Sequence, residues 1–200
     1  MAQTQAVSAS ADQLEANRKL AYRFYEELWN KGNYEAAPEL LHPNHYDHTL
    51  PPIPGLPQGR DGVIQLMKTF RAAFPDLVMS VDNVIAEDDF VGEVLTLRGT
   101  HTGTFAGIPP TGKPIEIKSV NICRIEDGLV RERWGASDDL GLLRQIGLLP
   151  SPGTRAWTAS IKAASAQIKL GQHRRQVVGA TAAAGAGLLA LVMRRRGSRG

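Results

Sequence analysis

Polar side chains able to handle protons recur at alternating positions in three otherwise apolar runs of this sequence. In 114–126 (PIEIKSVNICRIE), Ile115, Ile117, Ser119, Asn121, Cys123 and Ile125 share one face of an extended chain, because successive strand side chains point to opposite sides. Ser119 and Asn121 are thereby polar groups on an apolar wall. In 90–102 (FVGEVLTLRGTHT), Leu95, Leu97, Gly99 and His101 share a face, which aims His101 at the same interior. In 129–137, Val130, Glu132, Trp134 and Ala136 fall together. A few polar groups converging on an apolar cavity is what a small-molecule site needs, and a histidine there trades protons near neutral pH. Each residue also has a purely structural alternative. A strand-end histidine can be hydrogen-bonded in place, Trp134 can be core, and Glu132 can pair with an arginine on the neighbouring strand.

His42, His45 and His48 come three apart in LHPNHYDHT, superficially a metal-ligand spacing. The segment is not helical, so the three need not share a face, and no metal site is expected. The sequence shows no Gly-x-Ser-x-Gly elbow, phosphate loop or dinucleotide fingerprint.

The elements that must position these residues are legible from periodicity. Residues 12–30 read as an amphipathic helix through Leu14, Leu20, Phe24 and Leu28, and 34–41 as a short second helix. Residues 42–59 are too rich in Pro and Gly for a helix, with a short strand possible through His45–Thr49. A third helix over 60–74 lines up Val63, Met67, Phe70 and Phe74. Four strand-like runs follow at 77–87, 90–102, 114–126 and 129–137, with EDD and DG marking tight turns, and 138–150 reads as a closing helix. Helices first and a sheet after give an α+β class: a curved antiparallel sheet packed on N-terminal helices and shaped as a cone with a pocket.

The strings LHPNHYDHTLPPIPGLPQGRDGVIQLMKTFRAAFPDL, RGTHTGTFAGIPPTGKPIEIKSVNICRIEDGLVRERW and DDLGLLRQIG closely resemble the SnoaL-like polyketide cyclase (ester cyclase-like) family of the nuclear transport factor 2-like superfamily. The resemblance covers about residues 15–149, and GTHTGxFxGIPPTGK is its most specific part. It implies an α+β cone with a deep apolar pocket, commonly dimeric. It also implies an intramolecular aldol ring closure on a hydrophobic carbonyl compound without a cofactor. His101 and Asn121 are then the catalytic candidates, with His48, Ser119, Glu132 and Trp134 against the substrate. Asn121 stands where the family often has an aspartate. Asparagine takes up no proton in this range but can donate to an oxyanion, which leaves His101 as the expected base. The alternative is a non-catalytic, membrane-tethered module that binds a lipophilic molecule.

Outside the resemblance, the first eleven residues are small and polar and are expected to be disordered. Nine of the 23 Lys and Arg, and none of the 20 Asp and Glu, lie beyond residue 150. An acidic body thus carries a basic tail, and that asymmetry suits a membrane contact. Residues 151–176 read as a basic linker becoming a helix, and 177–193 (VVGATAAAGAGLLALVM) as a short uncharged C-terminal hydrophobic helix able to cross a bilayer, followed by a basic tail over 194–200. Nucleic-acid binding is not expected, because only Trp157 interleaves the tail's charges. The lone Cys123 fits a reducing compartment, and the chain is expected to be membrane-anchored with its domain on the cytoplasmic side.

Overall fold

The computed structural model describes residues 9–50, 55–150, 152–163 and 165. Helix α1 (Ala11–Phe24) opens on Ser10, whose hydroxyl accepts from the Gln13 amide at 3.2 Å and so satisfies one of the helix's unpaired donors. At Tyr25 it passes into a π-helical turn (Tyr25–Asn30), so the helix expected over 12–30 is two geometries in series. The wider turn carries Tyr25 and Leu28 into the core, and Arg71 caps its end by donating to the carbonyls of Trp29 and Asn30.

The segment expected as a second helix is a single 3₁₀ stretch, Tyr34–Glu39, with Pro38 inside it. By Leu41 the chain has already turned into a strand, β1 (Leu41–Asp47). Pro38 lacks the amide that a longer α-helix would need. Helix α2 (Arg60–Ala73) buries Val63 and Met67, and Phe74 at its end is fully enclosed. Strands β2 (Val78–Glu87), β3 (Phe90–Thr100), β4 (Pro114–Glu126) and β5 (Leu129–Ser137) follow, and α3 (Asp139–Gln145) closes the body. The tight turns use positive φ at Asp88 (49°), Asp127 (53°) and Gly128 (73°), which Asp and Gly tolerate better than other residues.

The sheet order is β1-β5-β4-β3-β2. Strands β2 to β5 pair antiparallel, as expected, but β1 joins the edge parallel to β5, so the sheet is mixed rather than antiparallel throughout. The helices cover one face. That inner face carries Val91, Leu95 and Leu97 of β3 and the alternating Ile115, Ile117, Cys123 and Ile125 of β4, all buried. Burying each such aliphatic side chain is worth about 1.5–3 kcal/mol, which is what fixes the strand faces.

Residues 150–200 form a separate compact unit. Its described part is helical over 155–163, where Thr154 accepts from the Trp157 amide at 3.1 Å. The hydrophobic segment 177–193 lies outside the described residues, and among the described residues no helix is long and apolar enough to cross a membrane.

Candidate active site

Strand alternation holds along β4, and it delivers Ser119 and Asn121 to the inner face. The same alternation on β3, carried two residues before Leu95, puts Glu93 there as well, directly opposite Asn121. Glu93 is only 3% exposed. Tyr25 donates its hydroxyl to Glu93 Oε2, and Asn121 Nδ2 donates to the Tyr25 oxygen at 2.8 Å. Asn121 Oδ1 in turn accepts from Arg133 Nη2 at 3.0 Å, and Arg133 Nη1 donates to Asp47 Oδ2 at 2.7 Å. Five side chains from β3, the end of α1, β4, β5 and β1 thus form one continuous hydrogen-bonded chain across the inner face. Burial pushes the Glu93 carboxyl up to about 7, against the pull of Tyr25 and Arg133. Burial likewise raises the Tyr25 hydroxyl and the Cys123 thiol well above their usual values, which leaves both neutral.

Arg133 reaches this face through a bulge. Ile125 pairs with Val130 but Arg124 pairs with Glu132, so Arg131 is an extra residue on β5. Beyond it every side chain changes side. Arg133, opposite Cys123, turns inward, while Glu132 and Trp134, opposite Arg124 and Ile122, turn outward. The expectation that Val130, Glu132, Trp134 and Ala136 share one face is therefore corrected, because it assumed an unbroken alternation.

Glu132 accepts from Arg124 Nε at 2.9 Å and meets His48 Nε2 at 2.8 Å, with its carboxyl held low mainly by the His48 bond. The His48 ring stacks on Trp134 at 4.3 Å between centroids, 8° from parallel. His48, Glu132 and Trp134 are thus brought together, but on the outer face, away from Asn121 and Ser119. Ser119 stays inward and bonds the Ala136 carbonyl and the Ser137 hydroxyl, both at 3.1 Å.

His101 is fully buried. Its Nδ1 meets the Thr111 hydroxyl at 3.0 Å, its ring packs on Phe74 and Phe105, and its Nε2 has no described partner. It stands eight residues beyond Glu93, the partner of Asn121, which is roughly 26 Å of extended chain. His101 and Asn121 therefore occupy opposite ends of β3 and do not meet at one reacting carbon. The 99–115 stretch folds back on itself there: the amides of Thr111 and Gly112 donate to the His101 carbonyl, and that of Gly103 donates to the Ala73 carbonyl.

Of the three spaced histidines, His45 faces inward and donates to or accepts from the Val130 carbonyl region through Nδ1 at 3.0 Å, whereas His48 lies outside. An open cleft of about 560 Å³ lies at the β2–β3–β4 rim beside α3. Its polar groups are matched to one another, Asp76 with Thr100 and Arg98 with Glu116.

A helix-backed curved sheet with a polar chain on its inner face is an architecture that comparison places directly. A family model described as SnoaL-like polyketide cyclase matches residues 19–146. The chain belongs to the SnoaL-like polyketide cyclase family. Within this family, nogalonic acid methyl ester cyclase of Streptomyces nogalater is 31% identical over 130 residues, covering 64% of this chain and 96% of that protein. Aklanonic acid methyl ester cyclase DnrD of Streptomyces peucetius is 28% identical over 138 residues, covering 66% and 90%. Among solved structures, IdmH of Streptomyces antibioticus is 33% identical with a TM-score of 0.59, over 66% of this chain and 98% of that one.

Glu93, Asp47, Arg133 and Tyr25 are the site residues that sequence reasoning missed. For Glu93 the signal was present, a carboxylate in phase with Val91 and Leu95. For Arg133 it was absent, because nothing in LVRERWGAS announces the bulge.

Proposed function

We propose that this chain closes a ring in a hydrophobic carbonyl compound by cofactor-free acid/base chemistry, with Glu93 handling the proton. The observation that carries this reading is a buried carboxyl raised to about 7 and wired by hydrogen bonds to a cation. A base performs best when its pKa lies near the working pH. In the aldol step the proton leaves the carbon next to one carbonyl for the Glu93 carboxylate, and the C–H electron pair passes into an enolate. The enolate carbon then bonds to a second carbonyl carbon of the same molecule, and the new alkoxide recovers the proton. No atoms are gained or lost. Asn121, engaged through both ends of its carboxamide, acts here as a positioning residue that holds Tyr25 and Arg133 apart at a fixed spacing. His101 contacts the far end of the inner face.

The two relatives named for methyl esters supply the test compounds, nogalonic acid methyl ester and aklanonic acid methyl ester. The expected result is turnover of at least one, with kcat/KM rising as pH increases toward 7 and levelling above it. Glu93→Gln is expected to lower kcat by roughly 100-fold or more and to flatten that rise. Undiminished turnover by Glu93→Gln would remove Glu93 from the mechanism.

Two further parts belong to this reading. The outer sheet face, with Ile85, Phe90, Val94, Val120 and Ile122 exposed, suits a homodimer contact. The uncharged run 177–193 suits a membrane anchor, which flotation of the full chain with lipid vesicles would test against a chain ending at residue 176.

A further inference from the structure

Arg133 ends the interior chain where that chain meets solvent. Its side chain is 21% exposed, against 2% for Asp47 behind it. Asn121, Tyr25 and Glu93 are buried just as deeply. Lys and Arg on the other described strands lie on the outer face or, like Arg131, in the bulge, so Arg133 is the cation of the inner face. A guanidinium presents five N–H donors in a planar fork. Here Nη1 serves Asp47 and Thr49, Nη2 serves Asn121, and Nε has no partner among the described residues. Gly135 leaves the space beside the fork open. A Cβ there would fall 2.5 Å from Asn121 Oδ1 and 2.7 Å from Arg133 Nη2. The fork is therefore held in its plane by its neighbours with one edge unspent.

We propose that Arg133 binds an anionic oxygen of the ligand, a carboxylate or an ionised phenol or enol on an otherwise apolar compound, and that Glu93 takes up a proton when it does. The proposal rests on the reading of the inner face as a small-molecule site, and it specifies that molecule's chemical class. The reason is charge balance. The chain holds one cation and two carboxylates, and Asp47 already offsets Arg133. A third anion in surroundings of low dielectric is favourable only if another negative charge disappears.

Glu93 is the group placed to lose its charge. It is faced by Tyr25 from the end of α1, Asn121 and Cys123 from β4 and Arg133 from β5, with Asp47 and His45 beyond on β1. Tyr25 and Cys123 stay neutral, burial keeps His45 neutral, and the positive charge of Arg133 acts on Glu93 directly. The coupling is reciprocal by linkage: what the anion does to the proton's affinity, the proton does to the anion's.

Isothermal titration of the full chain with anthraquinone-2-carboxylate and with its methyl ester tests this, run at pH 7 in two buffers of different ionisation enthalpy. The ester measures apolar binding alone. The acid should bind at least about tenfold tighter, the scale of a charge-assisted bidentate pair. It should take up about half a proton per molecule, because a group titrating near 7 is half protonated at that pH. The ester should take up none. Glu93→Gln should abolish the uptake while keeping the preference for the acid. Gly135→Ala retains every charge and displaces only flexible side-chain ends, so it folds where Arg133→Gln would strand Asp47 without its partner. It should bring the acid down to the ester's affinity. Equal affinities in the unmodified chain, or acid binding without proton uptake, would overturn the assignment and leave the apolar site standing. Failure of both compounds to bind would overturn the site and the assignment together.

Discussion

Glu93 concentrates the chemistry of the inner face in one carboxyl, and that has a cost in stability. Its folded value of about 7 exceeds the ordinary 4.5, so the native state holds the proton more tightly than the unfolded chain does. The stabilisation is complete below about 4.5 and is lost as pH rises through 7, amounting to about 3 kcal/mol at 1.36 kcal/mol per unit. Chemical denaturation at pH 5 and pH 8 should therefore show the unmodified chain losing stability relative to Glu93→Gln over that interval. Parallel curves for the two proteins would mean that Glu93 is not held as described. At this scale the sequence was partly readable. Ser119 and Asn121 follow from simple alternation, and the same count carried back along β3 reaches Glu93. Asp47 was visible only as a residue between two histidines, because its value depends on a partner 86 positions away.

At the scale of elements, the runs of alternating and helical periodicity were faithful guides. Strands β2 to β5 and helix α2 lie where the apolar pattern puts them, within a residue or two. The departures occur where backbone geometry changes without a change in composition. The π-helical turn begins in the middle of a continuous amphipathic pattern, and the β5 bulge falls in a run with no glycine or proline at the break. The parallel edge strand β1 depends on pairing with β5, which local pattern does not encode. The His101 loop shows how tightly such segments can be fixed. A Cβ on Gly103 would sit 1.9 Å from the Ala72 carbonyl oxygen, so the loop crosses the end of α2 at backbone contact. Gly103→Ala should destabilise the fold by about 1–3 kcal/mol, the cost of forcing packed backbone apart. Thermal unfolding of the variant measures this, and an unchanged midpoint would show that the loop can lift from α2.

For the whole molecule, the unburied side of the sheet is the main open question of assembly. Val120 and Ile122 of β4 stand about half exposed, beside Phe90 and Val94 of β3. An aliphatic strip of this kind, flanked by the Arg98–Glu116 and Arg124–Glu132 pairs, offers both signs of charge to a second copy related by a two-fold axis. Light scattering of the full chain should give the mass of a dimer, and Ile122→Lys should give that of a monomer without loss of folded signal. A monomer in both would assign the strip no role between copies. His48, Glu132 and Trp134 lie at the margin of this strip, which accounts for polar and aromatic residues that the inner site does not use.

The single extra residue in β5 has a consequence for how this chain can vary. Strand sidedness is a matter of odd and even, and Arg131 resets the count between Val130 and Glu132. Deleting that one residue would restore strict alternation and exchange the two surfaces downstream: Arg133 would leave the interior, and Glu132 and Trp134 would enter it. A change too small to alter the length of any element would transplant the cation from one side of the molecule to the other. Insertions and deletions here act less like trimming than like turning a glove inside out.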